Sequence, residues 1–107
     1  MITTSASANV VLYESSAVTN VIKYFEPDIR VEATMIDENQ AVCNLVALDS
    51  DGNPMGQQTV VLRSSELNAE IMAGSTNAEK MYSIFELAAV TYLESLSGNT
   101  GITFTIS

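Results

Sequence analysis

The sequence predicts an α+β fold: an antiparallel sheet of four to five strands with one long C-terminal helix packed on one face. Three observations carry this. Residues 29–63 read as three successive strands joined by short turns, and short turns force antiparallel pairing because a parallel pair needs a long crossover. Residues 77–96 repeat apolar side chains at helical spacing behind a capping signal. Residues 102–106, Ile-Thr-Phe-Thr-Ile, alternate apolar and polar as a half-buried strand does.

In chain order, residues 1–8 are rich in Ser, Thr and Ala and read as a flexible N-terminal arm. Residues 9–107 form the single domain expected of so short a chain. Val10, Val11, Leu12 and Tyr13 give residues 9–13 the character of a short strand. The next stretch, 15–25, is ambiguous. Val18, Val21, Ile22 and Phe25 fall at helical spacing, but β-branched residues disfavour a helix. Pro27 marks a boundary, since it pushes Glu26 out of the right-handed α region.

The first strand of the meander, 29–35, sets Ile29, Val31, Ala33 and Met35 against Arg30, Glu32 and Thr34. Residues 37–40 are a polar turn. Residues 41–48 are apolar on both faces apart from Asn44, as expected of a strand that is central or covered on both sides. The run 49–56 concentrates Asp-Gly, Pro and a second Gly, residues that supply positive φ or fix φ near −65° in tight turns. Residues 57–63 complete the third strand.

Beyond the meander, 67–72 reads as a short helix broken at 73–75. Thr76 and Glu79 then fit a capping box. The long helix is expected over 77–96, with Gly98 placed to terminate it. Its stripe runs through Ala78, Met81, Tyr82, Phe85, Ala88, Ala89, Tyr92, Leu93 and Leu96, widened by Ile84, Leu87 and Val90. So broad a stripe asks for cover on more than one side, the sheet on one and another subunit on the rest. Phe85, at its centre, is expected to be buried against the sheet. The segments 9–13 and 102–106 are expected at sheet edges, and the second has no Lys, Pro or charge to blunt it.

Composition excludes several functions. Thirteen acidic against four basic residues give a net charge of −9, which argues against nucleic-acid or anionic-membrane binding through a basic patch. Cys43 is the only cysteine, so the chain has no internal disulfide framework, and its apolar setting marks it as a small buried hydrophobe. No long apolar span and no basic-then-apolar leader is evident. The chain is expected to fold in a reducing cytoplasm.

With no histidine, the usual general base, the Ser–His and Cys–His pairs and imidazole metal sites are all missing. The paired carboxylates, Asp37 with Glu38 and Glu66 with Glu70, are of a kind common on solvated surfaces. No glycine-rich phosphate loop is present. Asp49, Asp51 and Asn53 match the opening of a calcium loop, but Pro54 stands where that loop needs Gly and Val60 where it needs Glu; a hairpin loop is the better reading. The five methionines form no stripe. Tyr82, Phe85 and Tyr92 share a helix face and read as core rather than as a ligand platform. No catalytic, cofactor-binding or metal-binding residue is assigned, and no cofactor is expected.

The run from Val46 through Asp49-Ser-Asp-Gly-Asn-Pro-Met-Gly56 to Glu66 resembles a hairpin of small structural proteins of tailed bacteriophages: strand, Asp-Gly-Asn loop, strand, then a capped helix. The likeness spans roughly residues 29–72. The composition, rich in Ser, Thr, Ala and Asn and without His or Trp, is similar to that of virion proteins. The resemblance implies a non-enzymatic assembly subunit of a tail, neck or baseplate, made in the host cytoplasm and residing in the virion. Its partners would be further copies of itself and neighbouring virion proteins, with no nucleic acid, membrane or small-molecule substrate. It carries over no functional residues.

The alternative from another class is an acidic inhibitor or adaptor that binds a basic protein. A nucleic-acid mimic needs dense carboxylates along one face, whereas the acids here sit singly between apolar residues. An enzyme working without histidine ranks last.

Overall fold

Alternating side chains and tight turns place the meander where the sequence predicts it. The computed structural model describes residues 1–6, 9–37, 40–63 and 78–106. Strand β1 is Ile2–Thr4, β2 Asn9–Glu14, β3 Thr19–Lys23, β4 Asp28–Asp37, β5 Gln40–Leu48 and β6 Pro54–Arg63. Helix α1 is Ala78–Glu94, a 3₁₀ turn spans Ser97–Asn99, and β7 is Phe104–Ile106. The fold is α+β. A five-stranded antiparallel sheet in the order β6-β5-β4-β1-β7 carries the helix, and β2 with β3 forms a separate two-stranded sheet.

In β5, Ala41, Cys43, Leu45 and Ala47 are all fully buried. Across the ladder Ile29 faces Ala47, Val31 faces Leu45, and Val60 faces Cys43, so these residues share one face. That face joins Phe85, Ala88, Ala89, Val90 and Leu93 of α1 in one core. Phe85 is buried, as expected. β5 is central, and from Leu45 to Leu48 it is buried on both faces. The Asp49–Asn53 loop closes on itself: the Asp49 carboxylate accepts the N–H groups of Asp51 and Asn53, both at 2.9 Å, and Gly52 takes φ +82°.

Several expectations are corrected. The flexible arm is not one over Ile2–Thr4, which is an inner strand: Ile2 pairs with Ile29 on one side and Ile106 on the other and is fully buried. Polar side chains there and just beyond bond backbone groups. Thr4 Oγ1 donates to the Pro27 carbonyl at 2.8 Å, and Ser5 Oγ accepts the Thr103 N–H at 2.8 Å. Residues 9–14 are not an edge of the main sheet but half of the second sheet. The ambiguous stretch is a strand over Thr19–Lys23, entered by a turn in which Ser15 Oγ accepts the N–H groups of Ala17 and Val18. The ends of its helical pattern, Val18 and Phe25, are exposed, while β-branched Val21 and Ile22 take the strand geometry they favour. Glu26 leaves the right-handed region as expected, to φ +49°.

The helix is also shorter than 77–96, ending at Glu94. Gly98 does not terminate it in a left-handed conformation; it lies in the 3₁₀ turn, where a Cβ would come 2.6 Å from Val11 Cγ2. Part of the broad helix stripe is covered within the chain, since Val90 is buried while Leu87 is exposed. Glu86 turns inward to 3% exposure and pairs with the Met1 ammonium group. The short helix over 67–72, Thr76 of the capping box, the Glu66–Glu70 pair and Glu38 lie outside the described residues. Among the described residues no helix is long and apolar enough to cross a membrane.

Candidate association site

Among the described residues β6 is the outer strand at one end of the sheet, and a cleft runs along it. The cleft holds about 360 Å³ and is lined by Tyr13, Glu14, Thr59, Val60, Val61, Tyr92 and Leu96. Three elements meet there: the end of β2, the outer strand β6 and the C-terminal part of α1.

Local bonds fix the walls. Tyr92 Oη donates to the Leu12 carbonyl at 2.8 Å, tying the helix to β2. Burial, then Tyr13 and Glu14, holds the Tyr92 hydroxyl above its ordinary pKa, so it stays a neutral donor. The Glu14 carboxylate accepts the Ser97 hydroxyl at 2.6 Å, the Ser97 N–H at 2.8 Å and the Gly98 N–H at 3.2 Å. The two Ser97 bonds are the main cause of its lowered pKa. Glu14 thereby clasps the 3₁₀ turn. Gly56 lets the second sheet approach β6, since a Cβ there would lie 2.6 Å from Ile22 Cδ1.

The direction of the β6 backbone groups follows from their side-chain partners. Asn20 Nδ2 donates to the Gln57 carbonyl at 2.9 Å, from the side away from β5. Strand groups alternate in direction, so Thr59 and Val61 also aim their N–H and C=O groups outward. The Thr59 carbonyl accepts Gln58 Nε2 at 3.1 Å, which agrees. At the opposite end, β7 pairs only with β1 among the described residues. The Ser5 N–H donates to the Thr103 carbonyl at 3.0 Å, so Thr103 and Thr105 point toward β1, and Phe104 and Ile106 point their backbone groups away from it.

The solvent face adds an apolar row. Met35, Val42 and Val61 stand side by side across β4, β5 and β6, with Met35 and Val61 exposed. The row ends at the β6 edge.

Cys43 is buried, and burial pushes its thiol up to about 11, so it is no thiolate nucleophile near neutral pH. Among the described residues no group of three or more His, Cys, Asp and Glu side chains could hold a metal ion. The aromatic trio of the helix divides: Phe85 is core, Tyr92 walls the cleft and Tyr82 is exposed. The uncharged edge at Phe104–Ile106 was legible in the sequence; the β6 edge and the Glu14 clasp were not, because both depend on where β2 docks. Comparison with protein-family models, with curated proteins and with solved structures finds no match to this chain.

Proposed function

We propose that this protein is a non-enzymatic assembly subunit that joins copies of itself, and neighbouring proteins, through the free edges of its sheet. One observation carries the reading: at both ends of the five-stranded sheet, β6 and β7, backbone groups point outward, and among the described residues no strand is hydrogen-bonded there. Open edges invite strand addition unless Lys, Pro or a bulge blunts them. β7 has none of these in Phe-Thr-Ile. The exposed Met35 and Val61 on the row beside the β6 edge, and the exposed Leu87, support the same reading. Resemblance of the β5–β6 hairpin to small structural proteins of tailed phages supports placing such a subunit in a virion tail, neck or baseplate.

Sedimentation velocity tests the reading. With a net charge of −9, copies repel at low salt, and screening shortens the range of that repulsion. Larger species are expected to grow in as salt rises. A chain that stays monomeric at high concentration in both low and high salt overturns the proposal and favours an adaptor for a basic partner.

A further inference from the structure

The β6 edge is better matched by a β7 edge than by a second β6. Every neighbouring pair in the sheet is antiparallel, so β6 and β7, four steps apart in the order β6-β5-β4-β1-β7, run in the same direction. A copy added at the β6 edge without turning over therefore brings its β7 alongside β6 in parallel. Parallel pairing staggers the outward residues of the two strands. Val61 of one copy would sit between Phe104 and Ile106 of the next, its N–H donating to the Phe104 carbonyl and its carbonyl accepting the Ile106 N–H.

Side chains agree with this register. Val61 would stand opposite Thr105, and both are exposed on the face away from the helix. Leu62 would stand opposite Ile106 on the helix face. Ile106 is 39% exposed, so it has apolar surface left to bury in the cleft beside Tyr92 and Leu96. A two-fold pairing of β6 with β6 brings no such side chain, because Val60 and Leu62, the residues that would face the cleft, already pack their own core. Charge points the same way. β7 carries none, and among the described residues that line the cleft the one carboxylate, Glu14, is taken up by Ser97 and Gly98.

Resting on the assembly reading above, we infer that the cleft along β6 receives strand β7 of a second copy in parallel, with Val61 opposite Thr105, giving a head-to-tail assembly. Such a contact leaves a free β6 and a free β7 at the ends of each assembly, and so makes rings or open filaments according to its rotation.

Cysteine crosslinking under associating conditions tests it. Val61→Cys and Thr105→Cys are made separately, both at exposed positions, with native Cys43 left in its buried place. Sedimentation and far-UV circular dichroism first establish that each variant folds and associates; Val61→Thr and Thr105→Val report on association if a cysteine variant fails to fold. Mixing the two cysteine variants is expected to give an oxidised dimer absent from either alone. Ile106→Lys is expected to abolish the faster-sedimenting species without changing the circular dichroism. A dimer from Val61→Cys alone means β6 meets β6, and one from Thr105→Cys alone means β7 meets β7; either overturns the inference. Association that survives Ile106→Lys, or that gives no crosslink in the mixture, also overturns it while leaving the assembly reading intact. A wild-type chain that never associates overturns both.

Discussion

The side-chain amide of Asn99 treats Val11 as a neighbouring strand would. Its Oδ1 accepts the Val11 N–H at 2.8 Å and its Nδ2 donates to the Val11 carbonyl at 2.9 Å. The same Nδ2 donates to the Leu93 carbonyl at 2.9 Å, one of the orphan acceptors at the end of the helix. One side chain at 2% exposure thus caps α1 and fastens the second sheet to it, and with it the β2 wall of the cleft. Asn99→Leu keeps similar bulk but strands the Val11 N–H and carbonyl, while the Leu93 carbonyl keeps the Leu96 N–H at 3.3 Å. It should cost about 3 kcal/mol, since buried groups left without a partner cost roughly 1–3 kcal/mol each. Urea denaturation measures this, and a loss under about 1 kcal/mol would mean that water takes over the amide's role.

Phe85 belongs to the helix face that closes the core. It is 5% exposed and packs with Ala88, Ala89 and Leu93 against the meander. Phe85→Ala should cost about 3–5 kcal/mol, the usual range for truncating a buried aromatic. A thermal or urea midpoint close to wild type would show that the face is not sealed against the sheet.

These two residues mark where the sequence was legible. Phe85 was identified by periodicity, because helical spacing and sheet alternation are local patterns. The meander and its loop followed for the same reason. Asn99 was invisible, since a polar residue just past a helix looks like any loop residue until β2 is seen beside it. Ile2 was misread likewise: its pairing with Ile29 and Ile106 joins residues far apart in the chain, and a Ser/Thr-rich terminus carries no sign of that. The second sheet hid because Val18, Val21, Ile22 and Phe25 matched a helix by spacing, while the adjacent β-branched residues Val21 and Ile22 preferred a strand. The cleft depends on all these long-range placements, so of its two predicted partners only the uncharged β7 edge could be read in advance.

Calcium should have no effect on stability. The Asp49 carboxylate already accepts the N–H groups of Asp51 and Asn53, and the Asp49 N–H donates to the Asn53 carbonyl at 3.0 Å. Asp49 Oδ1 and the Asn53 carbonyl thus already serve the turn itself. Neither millimolar calcium nor EDTA is expected to move the melting temperature. A rise of several degrees with calcium, as linkage requires of a ligand that binds the folded state, would show a site that these bonds conceal.

Glu14 should give the cleft an acid-sensitive wall. Hydrogen bonds from the Ser97 side chain and backbone hold its folded pKa below the ordinary 4.5. A depressed carboxylate stabilises the fold at pH values above its unfolded pKa, and that contribution disappears as pH falls through the lower, folded value. The stability of the wild-type chain is therefore expected to drop below about pH 4.5 partly through this group. Glu14→Gln keeps an oxygen that can accept from Ser97 but does not titrate. The gap in stability between wild type and Glu14→Gln should be constant near neutral pH, narrow as the pH drops through the acidic range, and level off once Glu14 is protonated in the folded state. Urea midpoints across a pH series measure that gap. A gap that stays flat into strong acid would show that Ser97 and Gly98 do not hold the carboxylate in solution.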